Sequence, residues 1–107
     1  MTADIPEGVR IETIYAVEIA YTPEAAERRP AVRAEHLTRI ARLIREGQLL
    51  EAGGYLDFSA ALLLVRTASE DDARALVLDD VYVRSGVWVA EPRVRAYGRV
   101  VTEVNAR

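Results

Sequence analysis

The spacing of apolar positions changes period several times along the chain, and each change marks an element boundary. Over residues 11–20, Ile14, Tyr15, Val17 and Ile19 make a strand-like run. Thr22, Pro23 and Glu24 then carry a helix-start signature, because a threonine hydroxyl can cap free N–H groups and proline tolerates the first helical position. Pro30 lacks an N–H, so a short helical piece or a kink is expected ahead of a main helix over residues 30–46. Gly47 ends that helix by adopting the left-handed conformation.

Residues 48–52 read as a short strand before Gly53 and Gly54, and residues 60–65 as an apolar run suited to a sheet centre. These two are expected to pair as a hairpin. Ser69 with Asp72 three positions on resembles a capping box, and Ala73, Leu76 and Val77 give a second helix, ending near Asp79 and Asp80, its apolar face. After a turn over residues 80–86, residues 87–90 and 94–97 are expected to form the last strand, with Pro92 marking an edge or a bulge. The order β-α-β-β-α-β predicts an α+β fold of the ferredoxin-like, split-βαβ type, with the helices on one face of an antiparallel sheet. A chain of 107 residues, 50% apolar, fits one domain over residues 1–107, with 1–10 as a loose lead-in. The sheet face left without helices predicts a partner, a homodimer or higher homo-oligomer packed sheet to sheet.

Helical phase singles out the chemistry. Stepping about 100° per residue from Ile40, Leu37, Leu43 and Ile44 fall on one stripe, and His36 and Arg33 fall within the same arc, as does Arg29 if helical phase survives Pro30. A charge removed from water costs several kcal/mol unless paired, so this face implies carboxylates, an anionic ligand or a wet cleft. The alternative is that Arg29 and Arg33 snorkel past the sheet and His36 is a hydrogen-bonded residue at the core margin. Asp79 and Asp80 sit at a helix C-terminus, against the dipole, which asks for a compensating partner unless the turn is simply solvated.

Composition narrows the function classes. A net charge of -3 gives no reason to attract a phosphate backbone, so nucleic acid is not an expected partner. No run approaches the roughly 18 apolar residues of a membrane span, and the opening residues carry no secretory signal, so a cytoplasmic location is expected. With no cysteine and one histidine, disulfides, thiolate nucleophiles and two-imidazole metal sites within one chain are excluded. Ser59, Ser69 and Ser85 lie in no glycine-flanked elbow, no phosphate-cradling loop is present, and no cofactor is expected.

The stretch from Glu27 to Leu37, in which two arginines precede His36, resembles the helix motif of the YciI-like (YCII) family. The stretch from Glu46 to Gly53 is similar to that family's helix end and second strand, and the one from Asp80 to Val87 to its Asp-Pro-Tyr turn. The resemblance covers residues 12 to about 97 and implies a dimeric α+β barrel with His36 and Asp80 as a catalytic pair in one cleft. Val81 stands where the family has proline, which loosens the turn that sets Asp80. The loop over residues 54–59 is shorter than in several relatives, which implies a reduced cleft wall.

The leading expectation is therefore a small-molecule enzyme. In it His36 moves a proton, Asp80 orients the imidazole, and Arg33 with Arg29 holds an anionic or enolate-like oxygen. Isomerisation or elimination on a small, anionic or cyclic substrate fits these groups. Tyr82, Trp88 and Tyr15 are candidate aromatic walls or plain core, and Ser85 is a candidate substrate contact near the Asp80 turn. The rival expectation is a non-catalytic small-ligand sensor using the same cleft; a purely structural dimer domain is the third.

Overall fold

In the computed structural model, which describes residues 4–107, the chain runs β1 (Arg10–Ala20), α1 (Ala25–Arg45), β2 (Leu49–Gly54), β3 (Ala60–Val65), α2 (Glu70–Leu78), α3 (Val81–Arg84) and β4 (Arg93–Val101). Residues 1–3 of the expected lead-in lie outside the described residues. The strands form one antiparallel sheet in the order β2-β3-β1-β4. Two β-α-β halves thus interleave, which is the ferredoxin-like α+β fold that the element order predicts. Val17, Ile19, Leu63 and Val65 on one sheet face meet Ile40 and Leu43 of α1 and Ala73 and Val77 of α2 in a single core. Each fully buried aliphatic side chain there contributes about 1.5–3 kcal/mol.

The helix ends follow local chemistry, with one exception. Gly47, at φ 78°, donates its N–H to Ile44 O while Gln48 donates to Leu43 O, the paired bonds that close α1. Ser69 Oγ accepts from the Asp72 N–H at 3.1 Å and starts α2. The expected threonine cap of α1 is corrected. Glu24 is the residue before the helix and makes no side-chain cap, while the Thr22 hydroxyl donates instead to Gly86 O at 2.5 Å.

Pro30 neither breaks α1 nor delays it. The helix runs unbroken from Ala25, because the carbonyl that loses its donor belongs to Ala26 in the exposed first turn, where water can replace the bond. The core stripe is also turned relative to the expected one. His36, Ile40 and Leu43 are buried and Arg39 half-buried, whereas Leu37 and Ile44 are 49% and 38% exposed. Measured by helical phase, the buried arc lies about 50° toward Arg39 from Ile40.

Two further expectations are corrected at the C-terminal end. Residues 81–84, read as part of a turn, form α3, with Asp80 as its N-cap. Residues 87–90 are not part of β4; they run beside the end of β1, where Tyr21 and Trp88 form an isolated bridge. β4 instead extends to Val101, because Gly98 to Val101 pair with the N-terminal half of β1.

The β2–β3 hairpin holds a backbone cost. Phe58 adopts φ 62°, a left-handed conformation that costs a residue with a Cβ about 1–2 kcal/mol. Gly54, just before this loop, lies against the Tyr21 phenol, and a Cβ there would collide with it.

On the sheet face opposite the core, alternation places Glu12, Ile14, Ala16 and Glu18. Glu12 accepts from Arg66 Nε at 2.6 Å and from Arg99 Nη1 at 3.1 Å. Both arginines also hold the C-terminal tail, Arg99 through Asn105 O at 2.8 Å and Arg66 through Arg107 O. The Arg66 hydrogen bond, only partly opposed by burial and helped by Arg99, holds the Glu12 carboxyl down at about 2. Because this folded value lies below the unfolded one, the stabilisation is complete above about pH 5 and is lost as the pH falls through 4.5 toward 2. Glu12→Gln is therefore expected to lower the urea midpoint at pH 7, with the gap to the parent closing over that acid window. A gap constant with pH would show that the carboxylate charge does not contribute.

Candidate active site

The site is organised by a carboxylate with no exposed surface. Asp80 lies where α2 ends and α3 begins, and it is 0% exposed. Its Oδ1 accepts from His36 Nδ1 at 2.8 Å and from the Tyr82 N–H at 2.9 Å, and its Oδ2 accepts from Arg39 Nη1 at 3.0 Å. Burial pushes this carboxyl up, but the bonds from His36, the Tyr82 N–H and Arg39 outweigh it and hold Asp80 below the usual aspartate value. An ionised carboxylate can only accept, so the neutral imidazole carries its proton on Nδ1 and presents the Nε2 lone pair. Nε2 makes no hydrogen bond to the described residues and is not sealed from solvent.

Two aromatic groups hold the imidazole in place. Tyr82 stacks on it with ring centroids 3.7 Å apart and planes 10° from parallel, and Trp88 meets it at 5.1 Å and 85°. Tyr82 supplies both the stacked ring and the backbone N–H that binds the same carboxylate oxygen as His36. Burial raises the Tyr82 phenol above its ordinary value, partly offset by Arg29 and Arg33, so the group is neutral at pH 7. Trp88 Nε1 is a buried donor without a partner among the described residues.

His36, Tyr82 and Trp88 line a cavity of about 280 Å³ between α1, the β2–β3 hairpin and α3. That volume suits a molecule of roughly one substituted ring, near the low end of the about 300–1,000 Å³ of small-ligand sites. Arg29 and Arg33 also line it, and neither has an acidic partner among the described residues. Their exposure differs because the buried arc of α1 is turned: Arg29 is half-buried and Arg33 exposed. Pro30 leaves the helix unbroken, so the two arginines keep the phase of His36.

Other expected residues lie elsewhere. Ser85 is not among the cavity-lining residues; it closes α3, with its N–H bonded to Val81 O. Tyr15 packs against the core and not along the cavity. The hairpin loop, although short, does wall the cavity through Tyr55, Leu56 and Phe58. Val81, where the resemblance carries proline, is buried and begins α3, and Asp80 is fixed by its three donors without it.

Arg39 escaped the reading of the sequence. It donates to both Asp80 and Leu76 O, the latter at 2.7 Å, and so ties the middle of α1 to the end of α2. Its position three residues after His36, one helical step along the same side, was the available signal. No group of histidine, cysteine, aspartate and glutamate among the described residues could hold a metal ion, and no helix there is long and apolar enough to cross a membrane.

Comparison with known proteins agrees with this fold. A family model described as YCII-related domain matches residues 13–95. The solved structure of 5-chloro-2-hydroxyhydroquinone dehydrochlorinase from Burkholderia phenoliruptrix, in complex with 2,5-dihydroxybenzoquinone, superposes with a TM-score of 0.66 at 17% identity, over 78% of this chain and 92% of that one. No curated protein matches the sequence.

Replacing Arg39 tests how the buried carboxylate is held. Arg39→Met is expected to destabilise the fold by about 1.5–3 kcal/mol at pH 7, the worth of hydrogen bonds to a charged group. The depressed Asp80 titration makes the stabilisation present above the unfolded aspartate value and lost below it, so the penalty should shrink in acid. Equal urea midpoints for the variant and parent at pH 7 would remove Arg39 from this role.

Proposed function

The chain belongs to the YCII-related domain family, and from that premise we propose that it is a small-molecule enzyme whose His36–Asp80 pair moves a proton in an elimination or isomerisation. The carrying observation is the 2.8 Å bond from His36 Nδ1 to a buried carboxylate, with Nε2 open to the cavity. In this reading Nε2 takes a proton from an acidic C–H or ring O–H of the substrate. Asp80 stabilises the resulting imidazolium, and the freed electron pair forms a new double bond. In an elimination a leaving group departs as an anion with its own bonding pair; in an isomerisation the Nε2 proton returns to a different carbon. Arg29 and Arg33 stabilise the oxygen on which negative charge develops.

Elimination is favoured by the structural neighbour, a dehydrochlorinase bound to a dihydroxybenzoquinone. The substrate class that suits this cavity is accordingly a small oxygenated ring carrying or developing negative charge. We place Tyr82 and Trp88 as walls of that site; Ser85 would act only through the α3 end that it closes. The rival reading, a ligand sensor without turnover, uses the same residues.

The proposed assembly is a homodimer through the helix-free sheet face, where Ile14, Ala16, Leu62, Leu64 and Tyr97 share one side by strand alternation. A cytoplasmic location is proposed with it.

Two measurements decide these points. With a panel of halogenated hydroxyquinols, monitored by chloride release and absorbance, His36→Ala is expected to lose about 10²–10⁴-fold in kcat/KM. Asp80→Asn should lose rate as well, because its amide can donate to Nδ1 and favour the wrong tautomer. Full turnover by His36→Ala would sink the catalytic assignment, and a parent that binds panel members without consuming any would decide for the sensor. Light scattering at micromolar concentration should give twice the 11.9 kDa chain mass; a monomer would refute the assembly.

A further inference from the structure

We infer that Phe58 is a specificity-determining residue that makes the cavity select flat anionic rings over saturated ones. This rests on the reading of the His36 cavity as a ligand site and adds what the hairpin loop contributes to it. The loop is closed by the Tyr55 N–H on Ala60 O at 2.9 Å and by the Phe58 N–H on Tyr55 O at 3.0 Å. That closure puts residue 58 at φ 62°, a position where glycine is free of strain. Phenylalanine there meets no backbone need, and at 37% exposure it gains only part of the burial a core residue would. What sets this side chain apart from a glycine here is therefore what its ring touches.

It touches the cavity. Its centroid lies 5.2 Å from that of Tyr21 at a tilt of 57°, and the Arg29 guanidinium carbon sits 4.5 Å over its face. Phe58, Tyr21 and Arg29 all line the same space as His36 and Tyr82. A cation–π contact does not use up the guanidinium's N–H donors, and Arg29 has no acidic partner among the described residues to take them. Phe58 thus serves two purposes. It orients Arg29 toward the oxygen of a ligand, and with Tyr82 and Trp88, which line the same cavity, it offers the ring of that ligand aromatic neighbours. Aromatic pairs at centroid separations of about 4.5–7 Å favour a flat ring, and a puckered one cannot make them.

Benzoate and cyclohexanecarboxylate, matched in charge and nearly in size, test this by calorimetric titration. The parent is expected to bind benzoate about five- to tenfold more tightly. Phe58→Leu and Phe58→Gly should bring the ratio to within about twofold, and Phe58→Gly should unfold at the parent's temperature or above, because glycine removes the strain. Arg33→Gln should weaken both ligands while keeping the ratio. A ratio preserved in both Phe58 variants, or a parent that binds neither acid, overturns the inference. The readout is binding, so a parent that discriminates the two acids but turns over nothing would overturn only the proton-transfer reading.

Discussion

The structure depends on keeping one carboxylate ionised in its interior. An unpaired charge at a fully buried position costs several kcal/mol, and that cost sets what surrounds Asp80. The three donors come from two elements, His36 and Arg39 from α1 and the Tyr82 N–H from the first turn of α3. α1 carries its histidine and arginine one helical step apart so that both reach the same group. α2 ends where its last residues can be met by Arg39, through the Leu76 carbonyl as well as the acid. A side chain that was an oddity at a helix C-terminus is thereby the N-cap of the next helix and the junction of three.

The chemistry proposed for His36 draws on the same arrangement. Once Asp80 holds the Nδ1 proton, the other ring nitrogen is the basic one, and stacking against Tyr82 leaves the imidazole little freedom to tilt. The cation that would form on Nε2 protonation already has its counter-charge in place, so no solvent needs to reorganise to stabilise it. The arginines at the cavity behave differently: they are not tied to acids, and their charge is available to a ligand.

Much of this was legible in the sequence because it is local. Helix period put His36 among buried positions, Gly47 and Ser69 marked helix ends, and the element order gave the interleaved sheet. What escaped was non-local or conditional. Pro30 breaks helices whose lost bond is buried, and here it falls where water reaches. Leu37 and Ile44 look like core by hydrophobicity, yet the arc is decided by which neighbours α1 meets, and these pull it toward Arg39. Arg39 reads as a solvated surface residue until the distant Asp80 is folded against it. Gly98 interrupts the strand pattern after Tyr97, and the stretch to Val101 is carried on as a strand by pairing with the far end of β1. Phe58 in a left-handed conformation is announced by nothing in the chain, since the usual glycine is absent.

Trp88 is the only tryptophan in the chain, and it stands edge-on to the imidazole and to Tyr82. Its segment is fastened to the end of β1 by Thr22 N–H to Val87 O at 2.9 Å and Val89 N–H to Ala20 O at 2.8 Å. The protein's single indole chromophore is thus installed in the wall of the His36 cavity, with backbone bonds on both sides of it. Its emission spectrum is a local instrument: a change in colour or intensity originates beside His36, with no second indole elsewhere to blur the signal.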